Sequence, residues 1–373
     1  MKHLLITCFC TLLLLSGCSN QKELNKYDKT DFDCGFNTFC TLTAFLEDEQ
    51  QFNEMYEVMV SDFRHYHELF DIYHNYEGIN NLKTINDFAG KEPVKVEKPI
   101  INLLKLAKEV DIVSEGQFDI TGGALLKVWH NYRENGKAMN INGQLAPMPS
   151  QAELDAVKNI KGYEHLIIDE AKQTVYIDQE GISLDVGGIG KGYATELVAQ
   201  HLQELGLKYG SVNGGGNQRL ISTKADGKGW NVGIQTPRPS EKINDGISAV
   251  IKDVSDASVV TSGDYQNFYY NEEGKALAHI IDFDTLYPAD YYHSVTILVP
   301  NSGLADCLST TIFAMDYEES QIFINKINQE YNLDVGVVYI TSKPINEKSI
   351  KANTENEYYI TYTDNLASRI VVQ

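Results

Sequence analysis

The chain has 373 residues, enough for one large domain or two modest ones. Hydrophobic residues make up 43% and charged residues 22%, a composition typical of a folded globular protein. Because 52 acidic residues outweigh 31 basic ones, the formal net charge is −21, and so acidic a surface repels phosphate backbones. We therefore expect no nucleic-acid partner. Any phosphate-bearing ligand is expected to be held by backbone amides, helix dipoles or a metal ion.

The first residues predict an export signal. A short basic start is followed by an apolar run over residues 4–15, which is too short to span a bilayer as a helix. The run ends in Leu15-Ser16-Gly17-Cys18, which resembles the lipobox of bacterial lipoproteins. We expect residues 1–17 to be a lipoprotein signal peptide, with an ordinary signal peptide cut nearby as the alternative.

The same resemblance predicts an anchored protein. Cys18 is then the lipidated, palmitate-bearing N-terminus, and residues 18–33 are a polar, flexible tether without an apolar period. The expected location is the extracytoplasmic face of the cell membrane. Of the other cysteines, Cys34, Cys40 and Cys307 have no metal-ligand spacing and are expected as buried free thiols. A Cys34–Cys40 disulfide is the alternative.

Apolar periodicity predicts interleaved strands and helices over the rest of the chain. No repeat or linker interrupts residues 34–373, so we expect one α+β domain with mixed or antiparallel sheets and packed helices. The predicted strands are Thr38–Glu47, a hairpin within His165–Asp178, Trp230–Ile234, Ala249–Ile251, Val295–Val299 and Val337–Ile340, and the predicted helices are Glu54–Tyr73, Ile100–Glu115 and Lys191–Leu205.

Residues 183–194 form the first motif with chemical meaning. A predicted strand ends in Asp185, a glycine-rich turn follows, and a helix begins near Lys191. Glycines let a ligand approach the backbone, and amides at a helix start can face phosphate. A tight structural turn is the alternative. A Rossmann site is disfavoured because no acidic residue closes a βαβ unit about twenty residues further on.

Two more motifs follow along the chain. Residues 213–217 carry three consecutive glycines, which suggests backbone packed against a ligand or another backbone, with a structural bulge as the alternative. Thr261-Ser262-Gly263-Asp264 supplies hydroxyls suited to phosphate or a cation, and His279 is a candidate base. The alternative for His279 is a structural histidine with satisfied hydrogen bonds.

Residues 304–312 are predicted as a helix that presents Asp306 and Thr310 one turn apart. A carboxylate and a hydroxyl stacked in this way suit a hard cation such as Mg²⁺. Alternatively, the Thr310 hydroxyl bonds back to the carbonyl of Asp306.

Taken in order, these motifs resemble the ApbE family of FAD:protein FMN transferases. Matching segments are residues 185–194, 213–217, 261–265, 279–282 and 305–310, together with residues 116–121, Trp129 and residues 36–38. The resemblance covers about residues 34–340. This chain departs from the family where Phe36-Asn37-Thr38 replaces Met-Gly-Thr, and where residues 283–286 replace Pro-x-Thr-Gly.

The resemblance implies roles for individual residues. His279 is implied as the catalytic base. The implied Mg²⁺ ligands are the Gly188 carbonyl and the side chains of Asp306, Thr310 and, in some members, Ser309. The implied flavin contacts are Phe36, Tyr73, Gln117, Phe118, Asp119, Asp185, Lys191 and Ile281, with Tyr73 stacking on the isoalloxazine ring.

The function implied by the resemblance is Mg²⁺-dependent transfer of FMN from FAD to a threonine of an exported acceptor protein, with release of AMP. The acceptor is expected to carry an Asp-Gly-Ala/Ser-Thr-like site, which this chain lacks. Two alternatives stay open: an Mg²⁺-dependent FAD pyrophosphatase that yields FMN and AMP, and a non-catalytic FAD-binding lipoprotein.

Overall fold

The computed structural model describes residues 23–239, 246–353 and 355–373. Cys18 and the predicted signal peptide lie outside these ranges. The helices are α1 (Glu49–Phe70), α2 (Leu82–Asp87), α3 (Lys98–Ser114), α4 (Gly123–Ile141), α5 (Gln151–Val157), α6 (Gly190–Glu204), α7 (Ser302–Phe313) and α8 (Tyr317–Tyr331). The strands are β1 (Asn25–Asp31), β2 (Cys40–Leu46), β3 (Val94–Lys95), β4 (Leu166–Asp169), β5 (Thr174–Ile177), β6 (Gly210–Gly214), β7 (Asn217–Ile221), β8 (Trp230–Gln235), β9 (Ile247–Val254), β10 (Ser258–Gly263), β11 (Phe268–Tyr270), β12 (Ala276–Ala278), β13 (Ser294–Val299), β14 (Gly336–Thr341), β15 (Ile350–Lys351), β16 (Tyr359–Tyr362) and β17 (Ile370–Val372).

A nine-stranded antiparallel sheet organises the fold, in the order β1-β2-β6-β7-β10-β13-β14-β16-β15. Side chains alternate between its two faces. On β10, Val260 belongs to the large core shared with α1, α6 and α7, whereas its neighbour Val259 packs towards the small sheet β17-β9-β8. The α+β class with antiparallel sheets and packed helices is confirmed.

The first strand corrects the predicted tether over residues 18–33. Asn25–Asp31 pairs antiparallel with all of β2, from Asn25 opposite Leu46 to Asp31 opposite Cys40. The strand is polar because it lies at the edge of the sheet, where charged residues are common and pairing relies on backbone hydrogen bonds. Polar composition therefore gave no sign of the strand.

The predicted elements otherwise coincide with observed ones, with shifts at their ends. The first helix begins earlier than predicted, at Glu49, because the Asp48 side chain accepts a hydrogen bond from the Gln51 amide at 2.9 Å and caps the helix. The triple glycine of residues 213–217 is a two-residue hairpin turn between β6 and β7, with positive φ at Gly215 and Gly216. Cys34, Cys40 and Cys307 are buried free thiols, as expected.

The start of α6 packs unusually closely on α7. A Cβ at Gly192 would lie 2.4 Å from the Cβ of Asp306 and 2.4 Å from the backbone oxygen of Ser302. Only glycine fits there, and this contact sets the two motif-bearing helices side by side. Among the described residues, no helix is both long and apolar enough to cross a membrane.

Candidate active site

A cavity of about 430 Å³ lies where the loop after α1, the start of α6, one face of α4 and the segment after β12 converge. This volume falls in the range usual for small-molecule sites. Eleven of the residues singled out from the sequence line it: Phe36, Tyr73, Gln117, Phe118, Asp119, Asp185, Gly188, Lys191, His279, Ile281 and Thr310. A larger groove of about 1460 Å³ lies elsewhere, around Phe45 and Lys208, and none of these residues lines it.

The glycine-rich turn forms one wall of the cavity. The Gly187 amide donates to Oδ1 of Asp185 at 2.9 Å, which closes the turn, and Lys191 follows in the first turn of α6. Burial raises the pKa of Asp185, and the Gly187 amide and the charge of Arg133 oppose that rise. The wall thus offers backbone amides, one carboxylate and one ammonium group to a ligand.

Of the implied metal ligands, some line the cavity and others are buried next to it. A Cβ at Gly188 would lie 3.2 Å from Oγ1 of Thr310, so the two residues are neighbours across the turn. Asp306 and Ser309 are buried and do not line the cavity. Oδ2 of Asp306 accepts the Gly192 amide at 2.8 Å, and burial raises the pKa of this carboxyl group.

The hydroxyl groups of this region form a small network. Ser309 Oγ donates to the Asp306 carbonyl at 3.0 Å and lies 2.8 Å from Ser262 Oγ. Thr310 Oγ1 lies 3.4 Å from Ser262 Oγ. The back-bond predicted as an alternative for Thr310 is therefore made by Ser309 instead, and Thr310 Oγ1 remains at the cavity wall.

His279 directly follows β12 and lines the cavity. Its Nδ1 atom is buried without a hydrogen-bond partner among the described residues, which leaves this atom available to a bound group. Burial, together with the charges of Arg133 and Lys191, lowers the pKa of His279 to about 3. The ring is neutral at physiological pH and can accept a proton.

An aromatic pair, Tyr73 and His130, also lines the cavity. Tyr73 is 52% exposed as a residue, and its ring stacks on His130 with centroids 5.0 Å apart. The buried carboxylate of Asp71 accepts the Tyr73 amide at 2.6 Å and holds the loop that carries this tyrosine. Tyr73 thus presents an aromatic surface to the cavity, as its implied stacking role requires.

Two of the implied flavin contacts are partly occupied by other groups. Oδ1 of Asp119 accepts from the amide and hydroxyl of Thr121, and its Oδ2 lies 3.3 Å from Nζ of Lys161. Gln117 Nε2 donates to Asp284 at 2.5 Å, while Gln117 Oε1 is buried without a partner. Gln117 therefore retains a group for a ligand, whereas Asp119 mainly shapes the wall.

Sequence reasoning missed several polar residues of the cavity, which are His67, Asp71, His74, His130, Arg133 and Asn267. His130 and Arg133 lie on α4, which was not predicted. Arg133 Nη2 is 3.0 Å from His130 Nδ1. Trp129 could have located them, because this buried residue marks a helix, and His130 and Arg133 share the adjacent face of that helix.

Comparison with known proteins identifies the family. The ApbE family profile matches residues 36–333, which is most of the chain, so this protein belongs to the ApbE family. A relative from Vibrio cholerae called FAD:protein FMN transferase is 27% identical over 320 residues, which cover 86% of this chain and 89% of the relative. A Treponema pallidum protein of the same name is 32% identical over 64% of this chain and 66% of its own length.

A solved structure shares the fold. The crystal structure of the ApbE protein from Thermotoga maritima superposes with a TM-score of 0.69 at 27% sequence identity. The match covers 84% of this chain and 94% of the Thermotoga chain.

Proposed function

We propose that this protein is an FAD:protein FMN transferase that moves FMN from FAD to a threonine hydroxyl of an acceptor protein. Family membership and the names of the relatives support flavin transfer. The observation that carries the proposal is the neutral, unpartnered His279 Nδ1 in a cavity that also holds Lys191 and an exposed aromatic ring.

The reaction requires a base, positively charged groups that hold the phosphates, and alignment of the attacking hydroxyl with the phosphorus. The threonine oxygen attacks the phosphorus on the FMN side, the bond from that phosphorus to the bridging oxygen breaks, and AMP leaves with that oxygen. His279 Nδ1 accepts the hydroxyl proton. Lys191 and Arg133 place positive charge beside the phosphates, and positioning and electrostatics dominate the rate of phosphoryl transfer.

The donor set at α7 fits a magnesium ion. Among the described residues, no group of three or more His, Cys, Asp and Glu side chains could hold a metal, so a metal site here would rely on one carboxylate plus neutral oxygens. Asp306, Thr310, the Gly188 carbonyl and Ser309 supply such oxygens, which Mg²⁺ favours. When bound, the ion would neutralise pyrophosphate charge.

The proposal also includes the acceptor protein and the cellular location of the enzyme. The acceptor is an exported protein with an Asp-Gly-Ala/Ser-Thr-like site, and the enzyme works on the extracytoplasmic face of the membrane, held by a lipid on Cys18. The sequence pattern at residues 15–18 supports the anchor. Metabolic labelling with palmitate tests it: we expect label on the wild type and none on Cys18→Ser.

The transfer itself is tested by incubating the full-length protein in detergent with FAD, Mg²⁺ and an acceptor domain, followed by intact-mass analysis. We expect the acceptor to gain the mass of one FMN, and His279→Ala to abolish that gain. The matched control is His165→Ala, because His165 pairs with Asp178 away from the cavity. Free FMN and AMP with an unlabelled acceptor would indicate a pyrophosphatase, and unchanged bound FAD a binding protein.

A further inference from the structure

Asn267 lies in the turn between β10 and β11 and lines the same cavity as His279. Strands β11 and β12 are antiparallel, with Phe268 opposite Ala278. Continuing this register by one residue places Asn267 opposite His279. The backbone of Asn267 contacts the imidazole ring of His279 and favours its protonated form, against the larger effect of burial.

The side chain of Asn267 has no partner of its own. Its Oδ1 atom is buried and makes no hydrogen bond to any described residue. A buried amide oxygen left unpaired is costly, and folded proteins rarely retain one without a role. His279 Nδ1 is a second buried polar atom without a partner in the same cavity. Two unpartnered buried polar atoms favour a polar ligand in this cavity, and the amide oxygen of Asn267 requires one that brings an N–H or O–H group.

We propose that the side-chain carbonyl of Asn267 accepts a hydrogen bond from an N–H or O–H group of the bound flavin nucleotide, which makes Asn267 a specificity-determining residue. The inference rests on the proposed function, because it takes the flavin nucleotide as the occupant of the cavity. Such a nucleotide carries four kinds of donor: the N3–H group of the isoalloxazine ring, the ribityl hydroxyls, the adenine amine and the ribose hydroxyls of its AMP half. His279 Nδ1 remains free for the acceptor hydroxyl.

The test measures dissociation constants of the full-length protein in detergent for riboflavin, 3-methylriboflavin, lumiflavin and AMP. Asn267→Ala is compared with wild type and with Gln266→Ala, which removes the neighbouring exposed amide that does not line the cavity. We expect Asn267→Ala to weaken binding of the ligand that carries the donor by about tenfold. Gln266→Ala is expected to bind like wild type.

The analogues identify the donor. If it is N3–H, the loss is seen with riboflavin and lumiflavin and disappears with 3-methylriboflavin. If it is a ribityl hydroxyl, the loss survives methylation and is absent with lumiflavin. If it is the adenine amine or a ribose hydroxyl of the AMP half, the loss is seen with AMP. A purely structural role for Asn267 would weaken all four ligands alike.

Equal affinities of wild type and Asn267→Ala for every ligand, or a uniform loss across all four, would overturn the inference and leave the proposed function intact. Failure of wild type itself to bind any flavin would instead overturn the proposed function. If Asn267→Ala unfolds, Asn267→Leu preserves the side-chain volume without polar atoms, and the same ligand pattern is expected.

Discussion

The contact between α6 and α7 makes a sharp prediction for Gly192→Ala. The added Cβ would lie 2.4 Å from the Asp306 Cβ and 2.4 Å from the Ser302 oxygen, and neither atom can rotate away. The helices must separate by about 1 Å to reach van der Waals contact, an overpacking that costs about 1–3 kcal/mol. Unfolding entropy of about 2.1 cal/mol/K per residue then predicts a melting temperature lower by about 1.5–4 °C.

Gly192→Ala is also expected to slow the reaction. Separation of the helices moves Asp306 away from Gly188, and a misplacement of about 1 Å at a reacting site can cost about 100-fold in rate. We expect acceptor flavinylation to fall about 10- to 100-fold, with a higher Mg²⁺ requirement, in a mass-based rate assay. Gly190→Ala is the control for stability, because its Cβ would meet nothing nearer than 3.6 Å. An unchanged melting temperature and rate in Gly192→Ala would refute this account of the helix contact.

Three further predictions concern charge. Burial lowers the pKa of His279 to about 3, below the usual 6.5, so the ring stays neutral and the transfer rate should show no midpoint near pH 6.5 between pH 5 and 8. A midpoint near pH 6.5 in the pH–rate profile of the wild type would contradict the assignment of His279 as a buried base. Arg133→Gln removes a cation from the cavity, so calorimetry should show FAD binding weakened about tenfold and riboflavin binding nearly unchanged. The control variant Arg133→Lys should bind both ligands almost like wild type. Equal losses of affinity for both ligands would refute a role of Arg133 in binding the phosphates. Burial raises the pKa of Asp111 to about 7, so its ionisation destabilises the fold as pH rises from about 4 to 7. Asp111→Asn should therefore stabilise the protein at pH 8 by about 1 kcal/mol, after allowance for partial solvent exposure, and should not stabilise it at pH 4. Equal melting temperatures of the two proteins at pH 8 would argue against this prediction.

The sequence predicted those parts of the site that rest on local patterns. The glycine-rich turn and α7 were recognisable because acid, glycine and apolar residues recur at spacings that one turn or one helix explains. The edge strand β1 was missed because backbone pairing at an edge needs no apolar residues.

Helix α4 was missed because its glycines lower helix propensity. Gly136 is required there by tertiary contact, since a Cβ would lie 2.3 Å from the Tyr269 ring. Missing α4 also hid His130 and Arg133. Asn267 was hidden for another reason: only the pairing of β11 with β12 brings it opposite His279.

The central claim is tested most directly by the intact mass of an acceptor domain after incubation with this protein, FAD and Mg²⁺. The acceptor should first be validated with the Vibrio cholerae relative, so that a negative result reports on this protein alone. We predict a gain of one FMN on the acceptor threonine, lost with His279→Ala and retained with His165→Ala. An unlabelled acceptor that the relative does label would contradict the account.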